Sequence, residues 1–558
     1  MYSNKKNVLQ LAALLLEYGI DHVVVSPGSR IAPITQTLSQ HPAFHCFTVV
    51  DERSAAFFAL GLIQKLQRPV AVCCTSGTAL LNFSSAVAEA FYQQLPLLVI
   101  SADRPAAWIG QMDGQTLPQP GVFNTLVKKS VQLPEPITKE DEWYCNRLIN
   151  EALLELTHHG NGPVQINVPL SEPLFEFTEK ELPQVRTIRY SGGYPKSLDN
   201  SDYFRNQWAQ SSKRMILVGQ LPPDEKVKKV LEGVAKEWDC VILAEHTANV
   251  SSCPIIDNFD QIIYALPTEK WDEFAPDLLI TFGGHVVSKR MKKFLRKQHP
   301  AQHWHLSSDG SVPDLFQSLT DVIEMDENFF ALLGSPIDQQ VASYYSSIWK
   351  SESDKLKNRS KEYTATMPFS DLWVLKMLFP LLPEKAALQL GNSSTVRNAQ
   401  LFDLNPEIPV FCNRGTSGID GSMSTAVGFA AIHPALTFLV IGDLSFFYDV
   451  NGLWNKHINK NLRILLVNNG GGEIFHLLPG LNKAESLDEH ISYRHNTGAK
   501  EWAMAMGFLY LSAENETELK ENIITFVSNT SDKPILLETK TSMEINAEVF
   551  KAYYHNLK

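Results

Sequence analysis

GDLSFFYDVNGLWNKHINKNLRILLVNNGGG, residues 442–472, carries the reading of the whole chain. An apolar run, Phe438 to Ile441, ends in Gly-Asp. A helix-prone stretch follows, and a second apolar run, Ile464 to Val467, ends in Asn468-Asn469. Strand, crossover and strand in this order predict two parallel neighbours that finish on the same edge of a sheet. Asp443 and Asn469 are 26 positions apart, yet both fall at carboxyl ends of strands, where open α/β sheets bind ligands. A carboxylate, an amide oxygen and free glycine carbonyls are hard oxygen donors that suit Mg²⁺ holding a substrate's or cofactor's phosphates. The glycines at 470–472 let backbone approach a diphosphate closely. The same residues also serve as ordinary turn residues of a βαβ unit, so the rest of the chain has to decide.

The alternation extends over the whole sequence. HVVVS (22–26), FHCFTVV (44–50), PVAVCCT (69–75), PLLVIS (96–101) and PVQINV (163–168) are separated by longer helix-period segments, which predicts a parallel, doubly wound sheet. Residues 183–205 lose that periodicity and read as a linker. A second block carries RMILVGQ (214–220), CVILAE (240–245), DLLITFGG (277–284) and HWHLSS (303–308). The charged, helix-prone SESDKLKNRSKEY (351–363) leads into a third, with strands at 386–394, 408–413, 436–443, 462–469 and 534–540. The expected fold class is α/β, with three doubly wound parallel-sheet domains at 1–182, 206–350 and 364–558.

Bulk properties agree with this and exclude several classes. A chain of 558 residues exceeds one domain, and 44% apolar with 20% charged residues describes an ordinary globular protein. A net charge of −12 argues against nonspecific binding to nucleic acid or anionic membranes. The seven cysteines show no metal spacing and read as reduced core thiols of a cytoplasmic protein. Leu9, Leu11, Leu14, Leu15 and Leu16 suit an amphipathic first helix better than a signal peptide. No apolar run approaches the roughly 20 residues that span a bilayer, so no stable membrane association is expected.

TVVDERSAAFFALGL (48–62) places Glu52 where an apolar strand turns into an Ala/Phe-rich helix. Asp51-Glu52 can simply favour the positive end of that helix. Together with the 442–472 stretch a second use emerges. Gly-Asp and Asn-Asn at this spacing resemble the signature of thiamin-diphosphate enzymes, whose cofactor also needs a carboxylic acid against N1′ of its aminopyrimidine. Such an acid has to be largely buried, with its pKa raised by desolvation.

Further motifs narrow the resemblance. SPGSR (26–30), DERSA (51–55), TSGTAL (75–80), SADRP (101–105), GNSSTVR (391–397), NRGTSGIDGSMSTAVG (413–428), GDLSFFYDVNGL (442–453) and NNGGGEIFHLLP (468–479) run from the first block to the third. Together they resemble the 2-succinyl-5-enolpyruvyl-6-hydroxy-3-cyclohexene-1-carboxylate synthases of menaquinone biosynthesis. The resemblance implies pyrimidine-binding, central and diphosphate-binding domains of the thiamin-dependent decarboxylase type. It also implies decarboxylation of 2-oxoglutarate and 1,4-addition of the resulting acyl anion to isochorismate, by a homodimer or homotetramer. Glu52, Gln115, Arg30 and Ser29 would be catalytic. Glu52, Ile419, Asp443, Leu444, Ser445, Asn469, Ile474, Phe475 and Leu478 would bind thiamin diphosphate, and Asp443, Asn469 and Gly471 would bind Mg²⁺ or Mn²⁺. Ser393 and Arg397 would face the succinyl carboxylate, Arg30, Arg104, Lys289 and Arg290 would face isochorismate, and Arg414 would also bind substrate.

Physical chemistry asks for the same cations. Both substrates are dianions and the chain is acidic, so local arginines and lysines have to supply the attraction, best as bidentate forks. Each arginine alone also reads as a surface ion pair, and Ile474, Phe475 and Leu478 as a core helix face. His158-His159 reads as solvent-facing or helix-capping, not as the proton-donating pair of simple decarboxylases. Gln111 and Gln119 compete with Gln115 for its role. The alternatives are another thiamin-dependent 2-oxoacid decarboxylase, an acetohydroxyacid synthase-like carboligase with an FAD-binding central domain, or a noncatalytic nucleotide-binding protein. The central block lacks a convincing GxGxxG after a strand, and Glu52, Asp443 and Asn469 are all present.

Overall fold

The structure is a computed structural model describing residues 1–191, 198, 200–334, 344–478 and 480–558. Part of the expected linker (192–197 and 199), positions 335–343 of the expected central domain, and Pro479 lie outside the described residues.

The chain folds as three α/β domains, each on one parallel sheet. The first holds β1 (His22–Val25), β2 (His45–Thr48), β3 (Val70–Cys74), β4 (Leu97–Asp103), β5 (Lys129–Gln132) and β6 (Val164–Pro169) in the order β2-β1-β3-β4-β6-β5. The second holds β7 (Arg214–Val218), β8 (Cys240–Ala244), β9 (Leu278–Phe282), β10 (Gln302–Leu306) and β11 (Asp321–Ile323) in the order β11-β10-β9-β7-β8. The third holds β12 (Ala387–Leu390), β13 (Val410–Cys412), β14 (Thr437–Gly442), β15 (Leu462–Asn468), β16 (Leu509–Ala513) and β17 (Ile535–Lys540) in the order β13-β12-β14-β15-β17-β16. The first and third sheets therefore repeat one topology. Their inner strands, such as VAVCC and LRILLVN, are buried at every residue, as a sheet covered on both faces requires.

Strand order reverses between β1 and β3, between β7 and β9, and between β12 and β14, and such switch points open a crevice beyond the strand ends. In the third sheet the crevice lies between Gly391–Ser393 and Gly442-Asp443. Gly442 pairs with Val467 across β14 and β15, so the Gly-Asp and Asn-Asn ends arrive side by side.

Helix Glu52–Leu66 of the first domain crosses helix Ser422–Ile432 of the third at backbone distance. A Cβ on Gly61 would meet Thr425 O at 2.0 Å, and one on Gly428 would meet Phe58 O at 2.1 Å. Phe57, Phe58, Leu62, Met423 and Val427 flank the crossing in one buried cluster. The 23-residue helix Tyr344–Thr366 runs through the boundary expected between the second and third domains. Ser353 bonds Asn258, whereas Arg359 and Tyr363 bond the carbonyls of Leu557 and Val549.

Three further differences from the sequence reading have physical causes. Each sheet gains one edge strand, β5, β11 or β16, whose mixed burial hides its pattern. The linker contains the start of a helix, Ser201–Gln210. The stretch after Asp443 is a short helix, Asp443–Tyr448, and a 3₁₀ turn, Val450–Leu453, rather than a full crossover helix. Gly452 there lies so close to Ser424 that a Cβ would stand 2.6 Å from its Oγ, and Asn461 ends the segment by donating to the carbonyls of Ala430, His433 and Ala435. All seven cysteines are unpaired. Among the described residues no helix is long and apolar enough to cross a membrane.

Candidate active site

Asp443 opens its helix at the end of β14 and is 2% exposed. Its Oδ1 accepts from Leu444 N (2.6 Å), and Oδ2 accepts from Gly470 N (2.8 Å) and Gly471 N (3.0 Å). The carboxylate thus binds the Asn-Asn-Gly loop directly and joins the two halves of the motif. Gly471 has φ +150°, and a Cβ there would stand 2.8 Å from Ser492 O, so only glycine fits.

Asn469 gives both amide protons away, to Asp371 Oδ2 (3.0 Å) and Glu473 Oε2 (3.1 Å). Its Oδ1 is buried without a partner. Leaving such an oxygen unsatisfied costs about 1–3 kcal/mol, and a cation bridging Asp443 and Asn469 removes that cost. The donor set therefore fits a divalent metal with diphosphate oxygens. Burial raises the pKa of Asp371 and lifts Glu473 well above the carboxylate range, where repulsion from Asp371 and Asp443 adds to it.

Apolar side chains line the same crevice. Ile419 is 40% exposed while its carbonyl accepts from Ser445 Oγ (2.5 Å). Ile474 and Phe475, on the 3₁₀ turn Glu473–Leu477, are half-buried and Leu478 just beyond is exposed. None of the three is a core residue.

Ser393, Arg397 and Arg414 gather at the switch point. Ser393 adopts φ +69°, ψ −127°, a conformation rare outside glycine and typical of functional strain. Its carbonyl accepts from Arg397 Nη1 (2.5 Å). Arg414 is buried, donates Nη1 to Asn392 Oδ1 (2.9 Å), and leaves Nε buried without a partner. Burial, and then Arg414, lower the pKa of Arg397; the same two causes lower that of Lys292. Nearby Glu245, which accepts from Val287 N and Ser288 N, is pushed up to about 7 by burial. Neither guanidinium has an ion-pair partner among the described residues, so the pair is a ready seat for a carboxylate.

From the second domain, Lys289 is exposed, with no ion-pair partner among the described residues. Arg290 is bonded to Asp260 (2.5 Å) and stacked over the rings of Tyr554 (4.1 Å) and Tyr264 (5.0 Å), so it braces the helix that carries Lys289.

At the first sheet, Arg30 donates to Leu170 O (2.8 Å) and pairs with Glu172 (2.9 Å), beside exposed Ser29. Arg104 pairs with Asp113 (2.5 Å) and donates to Ser76 Oγ (3.1 Å) and Gln115 O (3.3 Å). Asp103 lies between the two arginines, yet burial outweighs them and raises its pKa. Gln115 is exposed with φ +56°. Gln119 is wholly committed to Gly77, Ala102 and Asn167, and Gln111 is exposed. Glu52, the first residue of its helix, is half-buried, and its side chain makes no hydrogen bond or ion pair among the described residues. No bond joins it to Asp443 or Asn469. His158 pairs with Glu155 and His159 with Glu324, on the surface.

Sequence reasoning missed Asp371, Glu473, Glu245 and Lys292. Only Lys292 had a local signal, one turn beyond Lys289 in KRMKKFLRKQ.

Comparison with known proteins finds relatives along the whole chain. The family description "Thiamine pyrophosphate enzyme, N-terminal TPP binding domain" matches residues 8–124. A protein of Bacteroides thetaiotaomicron named 2-succinyl-5-enolpyruvyl-6-hydroxy-3-cyclohexene-1-carboxylate synthase is 53% identical over 571 residues, covering 100% of both chains. Proteins of the same name from Flavobacterium psychrophilum and Porphyromonas gingivalis are 41% and 36% identical, covering 97% and 99% of this chain and 96% and 97% of theirs.

Proposed function

This chain belongs to the 2-succinyl-5-enolpyruvyl-6-hydroxy-3-cyclohexene-1-carboxylate synthases, and from that premise we propose what its residues do. It is a thiamin-diphosphate-dependent transferase of menaquinone biosynthesis that joins the decarboxylated remainder of 2-oxoglutarate to isochorismate. When bound, thiamin diphosphate supplies the carbon nucleophile of its thiazolium ring.

Asp443, Asn469 Oδ1 and the Gly471 carbonyl hold Mg²⁺ or Mn²⁺, and Leu444 and Ser445 seat the diphosphate. The observation that carries this reading is the buried, unpartnered Asn469 Oδ1 beside Asp443. Ile419 would support the cofactor, and Ile474, Phe475 and Leu478 would keep water from its reacting ring. Ser393, Arg397 and Arg414 take the distal carboxylate of 2-oxoglutarate. Ser29, Arg30, Arg104 and Lys289, with Arg290 bracing, take isochorismate, and Gln115 offers an amide at the reacting centre without acting as a strong acid.

Glu52 would hold the proton exchanged with the cofactor's aminopyrimidine. Its side chain has no partner among the described residues of its own chain, which supports a homodimer or homotetramer where Glu52 of one subunit serves the diphosphate site of another. The three sheets support domain limits of 1–182, 206–350 and 364–558, with the helix Tyr344–Thr366 running across the boundary between the last two. Seven unpaired thiols support a cytoplasmic location.

The test supplies 2-oxoglutarate and isochorismate together, with thiamin diphosphate and Mg²⁺, and identifies the product by mass. Glu52→Gln is expected to fold normally and to lose about 10²–10⁴-fold in turnover, the usual worth of a positioned acid or base. Near-normal turnover in that variant removes Glu52 from this role.

A further inference from the structure

We propose that Asp371 and Glu473 are positioning residues that decide which end of the Asn469 amide faces the metal seat. The inference rests on the reading of Asp443 and Asn469 as metal ligands. An asparagine amide has nearly the same shape either way round, but only its oxygen can ligate a cation; its NH₂ would turn two protons toward one. Here both protons are already taken, one by Asp371 Oδ2 and one by Glu473 Oε2. A flipped amide would set its oxygen against Asp371 Oδ2 and Glu473 Oε2, whose own side-chain hydrogen bond to each other already occupies the proton of Glu473. The oxygen is therefore held forward, and it is the atom left buried and unpaired.

The pair looks built for accepting. Asp371 and Glu473 are 5% and 3% exposed, and neither has a Lys, Arg or His ion-pair partner among the described residues, so a salt bridge does not explain them. Asp371 is itself fixed: its N–H donates to Asn546 Oδ1 (2.9 Å), Thr541 Oγ1 donates to its Oδ1 (2.5 Å), and Asn546 Nδ2 donates to Thr541 Oγ1 (3.1 Å). This chain of bonds ties the amide to the C-terminal helix Met543–Leu557, remote in sequence from every motif. Outer partners of this kind orient metal ligands and tune affinity.

The experiment measures Mn²⁺ binding to purified protein in the presence of thiamin diphosphate and without substrate, by the electron paramagnetic resonance of free Mn²⁺. Glu473→Leu removes an acceptor and should weaken Mn²⁺ binding about 10- to 100-fold with its circular dichroism unchanged. Glu473→Gln should stay close to wild type, because its carbonyl can accept from Asn469 and its NH₂ can donate to Asp371. Asp371→Ala removes the other acceptor and is read in the same way if Glu473→Leu does not fold. Asn469→Ala is the control for the seat itself. If Asn469→Ala loses Mn²⁺ while the Leu and Ala variants bind it as wild type does, the positioning role is overturned and the metal seat stands. If Glu473→Gln loses as much as Glu473→Leu, restoring an acceptor for the amide does not restore the seat, and the role is likewise overturned. Unchanged binding by Asn469→Ala overturns the metal seat and the inference with it.

Discussion

Burial, and then Arg414, lower the pKa of Arg397, neither guanidinium has an ion-pair partner among the described residues, and the Arg414 Nε is buried without a partner there. The distal carboxylate of 2-oxoglutarate meets this need, and pyruvate brings none. Leaving a desolvated charge unpaired costs on the order of 2–5 kcal/mol. Pyruvate should therefore be poorer by roughly 30- to several-thousand-fold in kcat/KM. Arg397→Ala should hurt 2-oxoglutarate far more than pyruvate, and equal use of the two donors by wild type would remove the dicarboxylate assignment. Asp449 offers a test of electrostatics away from substrate. It is fully buried, accepts from Ser424 N and Oγ (both 2.7 Å), and burial pushes its pKa to about 6. Because the folded value lies above the unfolded one, its contribution is complete below about pH 4 and is lost as pH rises through about 6. Asp449→Asn can still accept from Ser424 N and, with the hydroxyl turned round, donate to Ser424 Oγ, without the charge. Urea melts should show it gaining on wild type by up to about 3 kcal/mol between pH 4 and 7, at 1.36 kcal/mol per pKa unit.

Among elements, the crossing of helices Glu52–Leu66 and Ser422–Ile432 decides how the first and third domains meet. Gly61 and Gly428 put each backbone into van der Waals contact with the other, and Glu52 is the first residue of one of these helices. One methyl group at either glycine has no room against backbone, which cannot rotate aside. Gly61→Ala should lower stability by about 1–3 kcal/mol or more, as overpacking of a tight core does, seen as a lower urea midpoint. An unchanged midpoint would mean that the interface yields more readily than these contacts imply. Helix Tyr344–Thr366 matters in a different way, since its bonds reach both Asn258 and the C-terminal helix.

For the whole molecule, the lack of any bond between Glu52 and the Asp443–Asn469 seat gives the clearest prediction. Glu52→Gln and Asp443→Ala homomers should each be inactive. In a co-expressed mixed dimer, one site would combine the intact Glu52 of one subunit with the intact Asp443 of the other. Activity should return in the mixed preparation if the sites form between subunits. If each subunit supplies its own Glu52, every site keeps one lesion and the mixture stays inactive. Sedimentation of the wild type measures the assembly independently.

The sequence by itself determined the three α/β domains, the inner strands, the strand-end position of Asp443 and Asn469, and the arginines after strand ends. These are local patterns, and a strand buried on both faces, such as LRILLVN, announces itself by composition. The edge strands KSVQ, DVI and LYLSA did not, because a half-solvated strand carries no continuous apolar run. Tertiary structure alone distinguished Gln119, locked on Gly77, Ala102 and Asn167, from exposed Gln115. It alone gave Arg290 to Asp260 and Tyr554. It alone aimed the Asn469 amide, through Asp371 and Glu473. Periodicity records whether a residue faces core or solvent; which partner it meets there depends on folding distant segments together, and no local pattern carries that choice.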